Sequence, residues 1–367
     1  MRTAVVILNW NTEDFLRRFL PGLIRSVKDI DGAEVIVADN ASTDGSLRVM
    51  ETEFPFIKTI PLERNYGFTG GYNKAFGQIE SDLFVLINSD IEVTEGWLEP
   101  LIEWMKNHPE CGACAPKLHS FQERDRFEYA GAAGGYIDRF GYPFCRGRVM
   151  KLTETDQGQY NSSADVFWAT GACLMVRSSL YRKLGGLDER FFAHMEEIDL
   201  CWRMQLAGHK VTVVPESVVY HVGGGTLPPT SPFKLYLNFR NNLLMLENNL
   251  AKTFALGFSK KGAGSEKAAV KGIRKAKNRI LTRKCLDLIS AFIYLITFRT
   301  DCFRAVCKAH KDAGRMRQSP SRQEVADFVS GSRAEIKGIY RKWIVLQSML
   351  KGEKVFRSIK EEDFYRI

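Results

Sequence analysis

The chain predicts an α/β fold: a mostly parallel central sheet with helices on both faces, followed by a basic, helical C-terminal extension. Three observations predict it. Apolar runs of strand length alternate with amphipathic segments through the first 110 residues, an order that builds parallel sheets covered on both sides. Polar residues recur at the carboxyl ends of successive runs, as Asn9, Asp39, Asn65 and Asn88-Ser89-Asp90, where open α/β sheets bind their ligands. The charge then inverts: residues 1–250 hold 25 Lys and Arg against 32 Asp and Glu, a net −7, whereas residues 251–367 hold 27 against 11, a net +16.

TAVVILN reads as the first strand, and Thr12 to Val27 as an amphipathic helix with Asn11 or Thr12 at its N-cap. AEVIVAD is the second strand, followed by a helix capped near Ser42 or Thr43. FIKTIP is the third. The glycine-rich turn NYGFTGGYN leads into a helix from about Tyr72. DLFVLIN is the fourth strand, and Trp97 to Asn107 a further helix. Residues 120–165 break this rhythm with glycine, aromatic and charged residues, as an insertion does. After Asn249 the composition changes. KKGAGSEKAAVKGIRKAKNR reads as a flexible or weakly helical basic segment, and helical patterns follow it. We expect a division into residues 1–250 and 251–367.

At 367 residues with 45% hydrophobic content, the chain has length for one large domain and a smaller one. The acidic first part suits metal-assisted chemistry; the basic tail suits an anionic surface. The tail lacks a nucleic-acid recognition motif and interleaved aromatic platforms, so no nucleic acid is expected as a partner. MRTAVVILNWN has no cleavage-type pattern, and LISAFIYLITF at 288–298 is shorter than the ~20 apolar residues that span a bilayer. A cytoplasmic chain without a spanning helix is expected. Cys111 and Cys114 have redox or zinc spacing but no second pair, and a buried strand thiol pair is the expectation.

Asp90 is the strongest candidate metal ligand, a strand-end carboxylate suited to a hard cation. His221, ending a later strand, is the candidate second ligand, and the glycines at 223–225 leave backbone able to approach a ligand closely. Glu196 and Glu197 open a helix and point about 100° apart, so one can reach a substrate while the other is anchored. Glu197 is the candidate general base and Glu196 its positional neighbour. Asp199 and Arg203, spaced i, i+4, read as an ordinary helix ion pair. Gly67, Gly70 and Gly71 are spaced G-x-x-G-G, which argues against a dinucleotide fingerprint.

The segments VVILNWN, VADNASTDGS, NYGFTGGYN, LINSD, GACLMVRSSLYRKLGGLDERFFAHMEEIDLCWR, YHVGGGT and LYLNFRNN occur in an order that resembles glycosyltransferase family 2, within its bacterial rhamnosyltransferase-like branch. The resemblance covers about residues 1–250. It implies the GT-A fold and an inverting transfer from a nucleotide diphosphate sugar, dTDP-rhamnose or a UDP-sugar, to a saccharide or polyprenyl-linked acceptor. It implies a divalent cation, Mn2+ or Mg2+, held by Asp90 and His221. Asp39 would contact the nucleobase, Asn9 and Asn11 would lie near the nucleotide, and the turn with Asn65, Gly70, Gly71 and Asn73 would shape its pocket. Asn88-Ser89-Asp90 takes the place of the family's Asp-x-Asp element, and Arg240 would face the diphosphate. The basic tail would hold the protein peripherally on the inner face of the plasma membrane. The sequence departs from the pattern twice: Asn88 replaces the first acid, and Glu197 stands where Asp is usual. The second departure leaves open a weakly active or inactive GT-A protein that binds sugar nucleotides as a scaffold.

Overall fold

A computed structural model of the chain describes residues 1–223 and 231–367. The chain runs β1 (Thr3–Asn9), α1 (Glu13–Val27), β2 (Ala33–Asp39), α2 (Ser46–Glu53), β3 (Lys58–Pro61), α3 (Gly67–Phe76), β4 (Leu83–Ile87), β5 (Ile91–Val93), α4 (Leu98–Asn107) and β6 (Cys111–Ser120). Five short strands follow: β7 (Gly135–Asp138), β8 (Pro143–Cys145), β9 (Arg148–Val149), β10 (Leu152–Thr153) and β11 (Ala164–Asp165). Then come β12 (Cys173–Arg177), α5 (Ser178–Lys183), α6 (Glu196–Leu206) and β13 (Lys210–His221). The C-terminal part holds α7 (Pro232–Ser259), α8 (Ser265–Ile296), α9 (Thr300–Met316), α10 (Arg322–Gly331), β14 (Ile339–Tyr340) and α11 (Ile344–Lys351).

The main sheet has the order β11-β13-β6-β12-β4-β1-β2-β3, with β5 also paired to β13. β1 pairs in parallel with β2 and β4, β2 with β3, and β13 with β6. β12 lies antiparallel between β4 and β6. The sheet is therefore mostly parallel, as its alternating sequence predicts. Its strands are apolar on both faces because both are covered. Val5 and Ile7 pack toward α1, α2 and α4 with Leu16, Leu20, Val49 and Leu101. Ala4 and Val6 pack on the opposite face with Tyr72, Phe76, Trp202 and Leu243. A second sheet, β10-β9-β8-β7-β14, accounts for most of the insertion and takes its last strand from the C-terminal part.

Two segments differ from expectation. α3 starts at Gly67, so the glycine-rich turn is the helix's own first turn. Asn40 accepts from the Tyr66 N–H at 3.0 Å and Asn65 accepts from the Gly67 N–H at 2.8 Å, capping donors a helix start leaves open. Gly71 allows α3 to lie against β1, since a Cβ there would come 2.7 Å from Leu8 Cδ2. The Lys-rich segment after residue 260, expected to be flexible or weakly helical, is the first half of α8. Its buried face is made of small residues, Ala268, Ala269, Gly272 and Ala276, seated on α7. A Cβ on Gly272 would stand 2.7 Å from the Ala251 carbonyl oxygen. Hydropathy does not register a face built from alanine and glycine; packing does. α7 runs through residue 250, the position at which the charge inverts.

Candidate active site

The carboxyl ends of β1, β2 and β4 carry a connected polar cluster. The β1–β2 register sets Asn9 beside Asp39. The Asn9 amide donates to Asp39 Oδ1 at 2.8 Å and to Ser42 Oγ at 3.0 Å, while Asp39 Oδ2 accepts from the Ser42 N–H at 2.9 Å. Asn11, at φ 54°, accepts from the Thr43 N–H at 2.7 Å and so closes the β1 loop over the β2 loop. The Thr12 hydroxyl lies 2.9 Å from Ser89 Oγ, which joins this cluster to Asn88-Ser89-Asp90. Asn40 ties in the glycine-rich turn, donating to Asn65 Oδ1 at 3.0 Å and to the Gly67 carbonyl at 3.1 Å.

Asp90 and His221 meet because β5 pairs with β13 in a register that sets Ile91 opposite His221. Asp90 Oδ1 lies 3.2 Å from His221 Nε2, and Asp90 Oδ2 accepts from the Gly223 N–H at 3.2 Å. Glu128, from the segment after β6, stands on the other side of the ring: its Oε1 is 3.3 Å from Nδ1. That contact is close enough for an ion pair but off the line of a straight hydrogen bond, so Nδ1 has no aligned partner. Burial by itself disfavours a charged imidazole, but Asp90 and Glu128 outweigh it and push His221 up to about 10. Burial would likewise raise Asp90; the His221 contact and the Gly223 N–H overcome it and hold the carboxyl below the usual range. Among the described residues, no group of three or more His, Cys, Asp and Glu is arranged to hold a metal ion. The expected glycine run reaches the described residues only at Gly223; Gly224 and Gly225 lie outside them.

Glu196 and Glu197 open α6 after a turn in which Phe192, His194 and Met195 have φ of 65°, 70° and 72°. Such left-handed values in three non-glycine residues persist only where the surroundings enforce them. α7 does so. The Asn241 amide nitrogen lies 2.7–2.9 Å from the carbonyls of Phe191, Ala193 and His194. Arg240 donates to the carbonyls of Arg190 at 3.0 Å and Phe191 at 2.7 Å. Glu196 is buried and Glu197 half-buried, and each has an Oε2 without a hydrogen-bond partner. Burial and the neighbouring Glu197 charge hold the Glu196 carboxyl well above its usual range, and burial raises Glu197 as well. A Cβ placed on Gly171 would lie 3.6 Å from Glu197 Cβ, and the Ala172 carbonyl accepts from the Asn88 N–H at 2.9 Å. Residues 171–172 thus connect the Asp90 loop with the paired acids.

Not every expected site residue faces this cluster. The Asn73 amide is taken up by the Leu187 backbone, Glu189 and Tyr181, holding α3 to the 181–189 segment. Gly70 packs against Tyr66, where a Cβ would come 2.9 Å from its Cβ. Arg240, expected to face a diphosphate, is buried and directs its guanidinium to the 190–191 carbonyls, Asn241 and Tyr236. A buried guanidinium is driven to such acceptors, because an unmet donor there is costly. Asp199 pairs with Arg203 at 2.7 Å and accepts from Asn248 and Asn249, the supporting role its spacing predicts. Sequence reasoning passed over Asn40 and Glu128. Asn40 adjoins a strand end, which was a usable signal; Glu128 lies in an irregular segment with no local signal. Cys111 and Cys114 are both buried free thiols on β6. Two surface cavities, of about 280 and 470 Å3, lie elsewhere and share no residue with this cluster.

The comparisons agree with this geometry. The family model described as Glycosyl transferase family 2 matches residues 4–185. The N-acetylglucosaminyl-diphospho-decaprenol L-rhamnosyltransferase of Mycobacterium tuberculosis is 28% identical over 235 residues, 59% of this chain and 75% of that protein. Rhamnosyltransferase WbbL of Escherichia coli K12 is 23% identical over 227 residues, 59% of this chain and 82% of its own. Among solved structures, GalNAc-T7 with UDP, GalNAc and Mn2+ superposes with a TM-score of 0.54 at 17% identity, covering 67% of this chain but only 48% of that one. Residues 1–349 of S. aureus TarS with UDP-GlcNAc give a TM-score of 0.50 at 15% identity, covering 87% and 93%. A mostly parallel sheet with an antiparallel β12, strand-end asparagines and acids in this order, and these relatives give one answer: the chain has the GT-A fold, and its residues 4–185 belong to glycosyl transferase family 2.

Proposed function

We propose that the chain transfers a sugar, with inversion, from a nucleotide diphosphate donor to a hydroxyl of a saccharide or polyprenyl-linked acceptor in bacterial surface polysaccharide synthesis. dTDP-rhamnose is the favoured donor because two of the relatives named above are rhamnosyltransferases; UDP-sugars are the alternative. The observation that carries the reading is the convergence of Asp90 Oδ1 and His221 Nε2 across 3.2 Å at the ligand-binding end of the sheet. A carboxylate oxygen and an imidazole nitrogen this close would together hold one divalent cation, Mn2+ or Mg2+. The ion would take the place of the imidazole proton. When bound it neutralises the leaving diphosphate.

The chain's own residues do the rest. Asn9, Asn11, Asp39 and Asn65 line the nucleotide side, with Asn88 and Ser89 between nucleotide and cation. Glu197 takes the acceptor hydroxyl proton as the oxygen forms its bond to the anomeric carbon and the bond to the diphosphate breaks. A carboxyl raised by burial is the stronger base for that step. Residues 1–250 carry this chemistry and residues 251–367 hold the protein peripherally on the inner face of the plasma membrane. Screening UDP-, dTDP- and GDP-sugars with Mn2+ or Mg2+, scoring released nucleotide and the anomeric configuration of the product, tests the reading. Nucleotide binding without turnover on any donor or acceptor would leave the scaffold reading in its place.

A further inference from the structure

α8 is amphipathic the wrong way round over its second half. Its inward side carries a charged pair, Arg283 and Asp287, 2.8 Å apart and both buried, with His310 of α9 3.3 Å from the same carboxylate. Its outward side carries Leu281, Leu288, Ile289, Phe292, Ile293 and Ile296, all exposed, and Phe298 beyond the helix end is 91% exposed. Their spacing, i, i+7, i+8, i+11, i+12 and i+15, makes one continuous stripe. No helix among the described residues is long and apolar enough to cross a membrane. An apolar stripe of this size facing water marks a surface that something covers.

The charge around the stripe selects what covers it. From 271 to 299 the chain has eight Lys and Arg and one acid, Asp287, which is turned inward. Arg274, Lys275 and Lys277 are exposed on the preceding turns of α8, and Arg299 is exposed beside Phe298. An apolar face next to uncompensated cations is complementary to a lipid leaflet with anionic headgroups, and mismatched to a second copy bearing the same charge. The location is also informative. His310 is level with Asp287, while Lys308 and Asp312 contact Tyr236 near the start of α7. The stripe therefore extends to the end of the molecule where α7 begins, eleven residues after His221 ends β13.

We propose that the outward face of α8 from Leu281 to Phe298 inserts into the headgroup boundary of an anionic membrane and turns the strand-end site toward the lipid. This deepens the reading of a polyprenyl-linked acceptor, yet it is measured without sugar transfer. Flotation of the full chain with phosphatidylglycerol–phosphatidylcholine vesicles is the direct test. Phe292→Ser with Ile296→Ser is expected to lower the partition coefficient on the order of tenfold or more, because both side chains leave the bilayer. Arg299→Glu is expected to weaken binding to the mixed vesicles and not to pure phosphatidylcholine. Phe292→Trp should show a blue-shifted emission only with vesicles. These residues are exposed, so thermal unfolding and nucleotide release from donor in solution are expected to match wild type. Vesicle binding unchanged in the double variant overturns the proposal. So does a wild-type dimer that Phe292→Ser with Ile296→Ser converts to a monomer, which makes the face an interface between copies. Vesicle binding as expected with no transfer to any lipid-linked acceptor would overturn the acceptor reading alone.

Discussion

Glu128 approaches the His221 ring opposite to Asp90, with its Oε1 3.3 Å from Nδ1. A carboxylate there holds the Nδ1 side of the ring by charge and leaves Nε2 facing Asp90. Carboxylate–histidine pairs of this kind orient metal-binding imidazoles in general. Glu128→Gln is expected to weaken Mn2+ affinity by about 10–100-fold, measured by titration calorimetry. His221→Ala should weaken it strongly and Asp90→Ala should abolish turnover. Unchanged Mn2+ affinity in Glu128→Gln would make that carboxylate a structural partner only.

The paired acids of α6 give a kinetic prediction. Glu197→Gln keeps size and removes the base, so kcat should fall by about 10²–10⁴-fold with donor affinity nearly unchanged. Glu196→Gln should cost much less. Glu197→Asp restores the residue usual in the family and is expected to retain activity. A dead Glu196→Gln beside a near-normal Glu197→Gln would reverse the two roles.

The same pair gives a stability prediction with a definite sign. A carboxyl whose folded pKa is raised stays protonated in the native protein while the unfolded chain ionises above about pH 4.3. The native state then binds more protons than the unfolded one, and stability falls as pH rises from there toward the raised folded value. Burial and the Glu197 charge place Glu196 in that position. Glu196→Gln is therefore expected to melt above wild type, by a margin that widens as pH rises above about 5. A margin constant with pH would mean that Glu196 does not titrate in this window.

Asn241 spans three carbonyls of the left-handed turn before those acids. Removing its amide takes this donor from the half-buried Ala193 and His194 carbonyls, while the Phe191 carbonyl keeps Arg240, at a total cost of about 1–3 kcal/mol. Asn241→Ala should lower the urea midpoint accordingly and lower kcat as well, since the turn positions Glu196 and Glu197. Lost stability with unchanged kcat would separate the turn from catalysis.

Strand and helix alternation made the sheet legible, because each face of a buried parallel strand must be apolar. Strand-end polarity made Asn9, Asp39 and Asp90 legible as neighbours of one another. Periodicity could not show that Asp90 and His221 would touch, since the β5–β13 register that joins them links residues 131 positions apart. Nor could it show Glu128, which arrives from an irregular segment. Arg240 and Asn73 illustrate the converse. The family resemblance implied a ligand for both, and tertiary packing engages both with carbonyls and side chains of neighbouring segments. The small-residue face of α8 was hidden by its lysines.

α7 links events at its two ends. Near its start Arg240 and Asn241 grip the turn that presents the acids; near its end Ala251 and Ala255 seat α8. A cut at residue 250 would divide one helix and part the residues that grip the turn from those that seat α8. The chain is thus better pictured as a tool with a fixed handle than as an enzyme on a tether. If Glu197 is the base, whatever grips α8 would set the angle at which a substrate meets it, and a bend in α7 would change that angle without altering a single residue of the strand-end cluster.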